Sequence, residues 1–175
     1  GPWAGISRTN WILTNIDKSP KISDAKKTQY KGEAHFLRGL YYFNLVRLFG
    51  DVPWIDKQQT ASDDLQVSRT SKDIVYQHII DDFSDAASML PAVYENTTDI
   101  GRATKGAAFG LLAKVYLTLK RYNETLVAID SVANLGVYSL NRKYEWNFSD
   151  LRENGPESLF EVQYEKDVTA YSEFD

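Results

Sequence analysis

A chain of 175 residues, 43% hydrophobic and 25% charged, has the balance of a globular protein long enough to bury one real core. Its net charge of −4 and pI near 5.2 exclude the basic field of a nucleic-acid binder, and Lys and Arg are scattered, with no cluster longer than Lys26-Lys27. The absence of cysteine excludes disulfides, thiolate chemistry and Cys-based zinc sites, and no stretch approaches the ~20 apolar residues that span a bilayer.

Ile6, Leu13 and Ile16 fall near one helical face and predict a first helix over 7–18, ended by Ser19-Pro20. Ser23 or Asp24 caps a longer helix over 24–49. In it Ala34, Leu37, Tyr41, Leu45 and Leu48 repeat at helical spacing, while Phe36, Leu40 and Phe43 widen the apolar arc. An arc that wide belongs to a helix packed on more than one side. Gly50-Asp51-Val52-Pro53 stops it, because Gly supplies the cap and Pro cannot continue.

Residues 54–69 read as a loop. Thr70-Ser71-Lys72-Asp73 has the form of a capping box, with Thr70 as N-cap and Asp73 reaching back, and it opens a helix over 71–90. The apolar stripe there is Ile74, Val75, Ile79, Phe83, Ala86 and Leu90, which leaves Asp81, Asp82 and Asp85 for the opposite, solvated side. Thr104 caps a helix over 105–119. A short turn at Lys120-Arg121 forces its partner, 123–134, to run antiparallel, and Gly136 closes the pair. Residues 138–156 read as loop. The stretch 158–164 then places Phe160, Val162 and Tyr164 on one face, the one predicted strand.

The predicted fold is therefore mainly α: one domain over 1–175, built of antiparallel helical hairpins with long loops and one short C-terminal strand. Leu112, Ala113, Tyr116, Tyr122, Ile129 and Val132 fall at the consensus spacing of a tetratricopeptide repeat, with Thr125 where Ala is usual. Glu33, Arg38 and Arg47 sit on a mostly apolar arc, so they are expected to be partly buried and bonded to neighbouring helices or to the loop holding Asp51.

Catalysis has little to work with. His35 and His78 are the only histidines, no nucleophile elbow is present, and Gly101 and Gly106 flank a helix cap without a P-loop ending. No enzyme, no cofactor and no metal site are expected.

Three blocks resemble the SusD/RagB family. The first, Lys31 to Pro53 (KGEAHFLRGLYYFNLVRLFGDVP), is similar to that family's long-helix motif and its Gly-Asp-Val-Pro stop. The second is Gly101-Arg102-Ala103-Thr104-Lys105-Gly106-Ala107-Ala108, which looks like its helix-opening stretch. The third is Glu157 to Tyr164 (ESLFEVQY), similar to the strand after the hairpins. Glu33, Arg38, Arg47, Asp51 and Arg102 are the polar members of these motifs. His35, Gly39, Asn44 and Trp54 depart from it: Ala is usual at Gly39, and Asp at Asn44.

The resemblance implies a non-catalytic binding protein of the bacterial outer membrane, a cell-surface lipoprotein that captures a glycan or related nutrient. Its partner would be a SusC-like TonB-dependent transporter, met through the exposed side of the helices carrying Val75 to Met89 and Leu112 to Ala133. Membrane attachment would come only through a lipid anchor outside this chain. Sugar sites of this type stack aromatic rings on pyranose faces, which makes Trp3, Trp54 and Trp146 the candidate ligand-binding residues, with core packing as the alternative for each. Family members are longer, so the chain is expected to be an internal piece with an uncovered apolar strip where the remaining polypeptide packs. The alternative is an intracellular tetratricopeptide adaptor that binds a peptide in a concave groove.

Overall fold

The computed structural model describes residues 1–60, 62, 63 and 66–163. Asp64 of the predicted loop 54–69 and Tyr164 of the predicted strand lie outside the described residues. Five helices form in chain order: α1 (Pro2–Asn15, extended by a 3-10 turn Ile16–Lys18), α2 (Asp24–Phe49), α3 (Lys72–Met89), α4 (Lys105–Thr118) and α5 (Tyr122–Ala133). Each packs on the next, so the molecule is a row of helices with α3 in the middle.

α1 starts earlier than its apolar spacing predicts. Pro2 stands in its first turn, where the missing N–H has no helical partner to lose. α2 matches its predicted span. The Ser23 hydroxyl accepts the Lys26 N–H at 3.4 Å, and Gly50, at φ 68°, ends the helix in a conformation that a side chain would strain. α4 is capped as expected, with Thr104 Oγ1 accepting from Ala107 at 3.1 Å.

The core lies along α2 and α3. Phe36, Tyr42, Phe43, Ile79 and Phe83 are fully enclosed, and Phe36 meets Phe83 edge-on at 5.9 Å. Gly39 accounts for one departure from the family motif. A Cβ there would stand 3.1 Å from the Phe83 ring, so the bare backbone of α2 lets that ring press against the helix.

Three predicted features resolve differently. The Thr70–Asp73 capping box does not form. The Thr70 N–H goes to the Val52 carbonyl at 3.0 Å and its hydroxyl accepts the Trp54 N–H at 3.3 Å, while Ser71 takes the N-cap position without a side-chain bond. Asp51 replaces the box: its carboxylate accepts the Lys72 N–H at 2.8 Å from the turn that follows α2. Asp82 is not on a solvated face. It is 2% exposed and points at α2, whereas Asp81 and Asp85 remain outside. The predicted strand is absent from described residues 158–163, and the isolated bridge Val52–Thr70 is the only β pairing among the described residues. Phe160 turns inward onto Phe36 at 5.0 Å while Val162 is 63% exposed, so the alternation does not hold. Among the described residues no ladder partner takes its backbone bonds, and a strand exists only through such pairing.

Candidate functional site

Arg38 rises from the middle of α2 into the seam with α3, and among the described residues no buried side-chain nitrogen or oxygen is left without a partner. Its Nε donates to Asp82 Oδ2 at 2.9 Å and its Nη2 to Asp82 Oδ1 at 2.7 Å, a bidentate fork. Its Nη1 donates to Asn10 Oδ1 of α1 at 3.0 Å and to the Asp56 carbonyl at 3.1 Å. His35 Nδ1 lies 2.7 Å from the same Asp82 carboxylate. The cluster ties α1, α2, α3 and the loop after α2 together.

That loop is held at three successive residues. Trp54 stacks on His78 of α3, with centroids 4.4 Å apart and planes at 13°, and lies 4.2 Å from Tyr42. The Arg38 guanidinium sits 5.3 Å from the Trp54 ring. At Ile55 the N–H donates to Tyr42 Oη at 2.7 Å, while the carbonyl accepts from Asn10 Nδ2 at 2.7 Å and from the Tyr42 hydroxyl at 3.3 Å. Asp56 is held by Arg38. Burial pushes the Tyr42 phenol up from 10.0 to about 12, so the hydroxyl stays protonated while serving both sides of Ile55.

Just beyond this clamp a hollow of about 240 Å³ opens between α1 and the loop, lined by Trp3, Ile6, Ser7, Ile55, Lys57 and Gln59. Trp3 is 41% exposed and braced edge-on by Tyr42 at 6.1 Å. The structure therefore brings Trp3 and Trp54 to opposite duties around one tyrosine. Trp54 is packed among Tyr42, His78 and Arg38, and Trp3 offers surface.

Trp146 belongs elsewhere. It sits in the 3-10 turn Tyr144–Phe148 with the Arg152 guanidinium 3.8 Å from its ring centroid, beside a hollow of about 390 Å³ that shares no lining residue with the one at Trp3. Next to it is a larger hollow of about 470 Å³. Leu40, Leu111, Leu159 and Phe160 line it as apolar walls, and Asn141, Asn147, Arg152 and Glu157 line it as polar ones. The Asn141 N–H, at 2.9 Å, and the Asn147 amide, at 3.1 Å, hold the Glu157 carboxyl below the ordinary glutamate range. None of these four is among the candidate ligand-binding residues that the sequence offers. They are scattered along 141–157 without period, and only the path of the chain brings them together.

The motif residues divide as well. Glu33 bonds Arg102 at 2.8 Å, Gln29 at 2.8 Å and Tyr94 at 3.2 Å, and Arg102 also bonds Asp99 at 2.9 Å, which fastens the segment before α4 to α2. Arg47, expected to be partly buried, is exposed. It folds back on its own helix, with Nη2 on Asn44 at 2.7 Å and its guanidinium 4.5 Å from the Phe43 ring centroid. It stands in the last turn of α2, where bonds to the Phe43 carbonyl and to Asn44 of its own helix hold it at the surface. Both histidines are engaged in packing, and among the described residues no group of three or more His, Asp or Glu is placed to hold a metal ion. No helix among the described residues is long and apolar enough to cross a membrane.

Consecutively packed helices define a tetratricopeptide-like helical scaffold. Residues 1–117 match the family model described as starch-binding and associating with the outer membrane. The chain belongs to the SusD-like family. A SusD-like protein of Bacteroides ovatus is 30% identical over 182 residues, covering 94% of this chain and 32% of its own. A SusD-like crystal structure from Bacteroides fragilis superposes with a TM-score of 0.87 at 34% identity, covering 94% and 32%. A laminarin-binding SusD-like protein superposes at 0.82 with 29% identity, covering 91% and 35%. The chain thus spans about a third of the length of the relatives it matches.

Proposed function

We propose that this chain is the helical scaffold of a cell-surface, glycan-binding lipoprotein that hands oligosaccharide to a SusC-like TonB-dependent transporter and catalyses no reaction itself. The observation that carries the reading is the match of residues 1–117 to a starch-binding, outer-membrane-associated family. Similarity to a laminarin-binding relative supports the same ligand class. The geometry is suited to it. The clamp around Ile55 holds Trp3 half-exposed beside Lys57 and Gln59, an aromatic face next to hydroxyl-reading groups, as a pyranose ring requires. Trp146 with Arg152 and Asn141 supplies a second such surface, and Trp54 acts through its packing. The intracellular adaptor alternative has no counterpart among the relatives named above.

Affinity electrophoresis of the full-length protein in soluble starch and in laminarin tests this. Retardation by at least one glycan is expected, weakened by Trp3→Ala or Trp146→Ala without a change in melting temperature. A folded protein that no glycan in a broad panel retards would remove the reading. The partner assignment is checked separately: charged substitutions on the exposed sides of α3, α4 and α5 should abolish co-purification with the transporter, and unchanged co-purification contradicts that surface.

A further inference from the structure

The two tryptophan-bearing hollows differ in charge. The hollow at Trp3 is bordered by one cation, Lys57, whose amine already faces the Asp63 carboxylate at 3.8 Å. The hollow at Trp146 is bordered by two guanidinium groups, those of Arg142 and Arg152, against the single carboxylate of Glu153. Both arginines are exposed, and no described carboxylate pairs with either. Their neighbours are satisfied. Lys143 meets Glu145 at 3.5 Å, and Arg102, beside another hollow, bonds Glu33 at 2.8 Å and Asp99 at 2.9 Å.

Arg152 is also held in place. Its guanidinium lies over the Trp146 ring, 3.8 Å from the centroid. That contact covers a flat face of the group and leaves the N–H donors around its edge free. The turn bearing Trp146 is fastened on both sides, because the Glu157 carboxylate accepts from the Asn141 N–H at 2.9 Å and from the Asn147 amide at 3.1 Å. The same two bonds engage Glu157, the nearest other carboxylate on this segment, with the loop itself. A positioned planar fork without a partner matches a carboxylate or a sulfate through two parallel bonds.

We propose that the hollow at Trp146 takes an acidic sugar, a ring bearing a carboxylate or a sulfate ester, with Arg152 forking the anionic group and Arg142 adding charge beside it. The proposal rests on the glycan-binding reading and narrows it, since the hollow at Trp3 is left to neutral rings.

Titration calorimetry of the full-length protein separates the cases, with oligogalacturonate, its methyl ester, a sulfated galactan oligosaccharide and a laminarin oligosaccharide as probes. At least one acidic probe should bind, and the one that does identifies the anionic group. Its affinity should fall by at least about tenfold in Arg152→Gln, and also as salt rises from about 50 to about 500 mM. Arg152→Lys should recover only part of the loss, because an ammonium keeps the charge without the fork. Methyl esterification should abolish uronate binding. Any neutral glycan that binds should do so equally in all variants, and melting temperatures should not change, because both arginines are at the surface. Binding of laminarin or starch without any acidic probe overturns the acidic assignment and leaves the glycan reading standing. Acidic binding indifferent to Arg142→Gln and Arg152→Gln overturns the site. Failure of every glycan, neutral and acidic alike, removes both readings.

Discussion

Arg38 and Asp82, 44 residues apart, meet in a bidentate pair across the α2–α3 seam, with bonds of 2.9 and 2.7 Å and both side chains nearly closed to solvent. A pair so enclosed derives its value from completeness, since either charge left alone would be stranded away from water. Its other contacts, to Asn10 and to the Asp56 carbonyl, convert a helix–helix bond into a support for the loop that borders Trp3.

Asp82→Ala should therefore destabilise the protein by about 3–5 kcal/mol, because it leaves the Arg38 guanidinium buried with only neutral acceptors. The double variant Arg38→Met/Asp82→Leu should cost less than the two single losses combined, with a coupling of at least about 1 kcal/mol. Urea unfolding of the four proteins measures this. Strict additivity would mean that the two residues act independently.

Asp51 caps α3 from outside the helix, through its bond to the Lys72 N–H at 2.8 Å. Asp51→Ala should cost about 0.5–2 kcal/mol, and Asp51→Asn less, since an amide oxygen can still accept that bond. Hydrogen exchange in the first turn of α3 should accelerate in Asp51→Ala. Thr70→Ala should leave that turn's exchange unchanged, because the Thr70 hydroxyl serves Trp54 instead.

The Tyr42 phenol, raised by burial from 10.0 to about 12, makes stability depend on alkaline pH. An unfolded chain releases this proton near the ordinary phenol value and the folded chain holds it, so the contribution is whole below that value and is lost as pH climbs toward the folded value. Unfolding free energy should therefore fall between about pH 10 and about pH 12, and Tyr42→Phe should flatten part of that fall. Denaturation series at matched ionic strength report the difference, and identical slopes for the two proteins would exclude a role for Tyr42.

The burial of Asp82 is legible in its spacing. Val75, Ile79, Asp82 and Ala86 stand at i, i+4, i+7 and i+11, so the carboxylate shares the face of buried apolar residues, although its charge suggests solvent. Grouping it with Asp81 and Asp85 followed residue type where spacing was the better guide. Arg38, by contrast, could be read as buried from the apolar arc around it.

Sequence alone determined the five helices, because local signals suffice for them. Apolar residues recur at helical spacing, Ser23 and Thr104 cap two starts, Gly50 ends α2, and the idiosyncratic Lys31–Pro53 block carries the family resemblance. Only the tertiary structure decided which partner each polar group finds, Asp51 on Lys72, Trp54 on His78 and Glu33 on Arg102, and left 158–163 outside any strand. Helix formation is settled within a few residues of chain. A buried hydrogen bond or a strand requires its complement to arrive from a distant element, and no local pattern specifies which one comes.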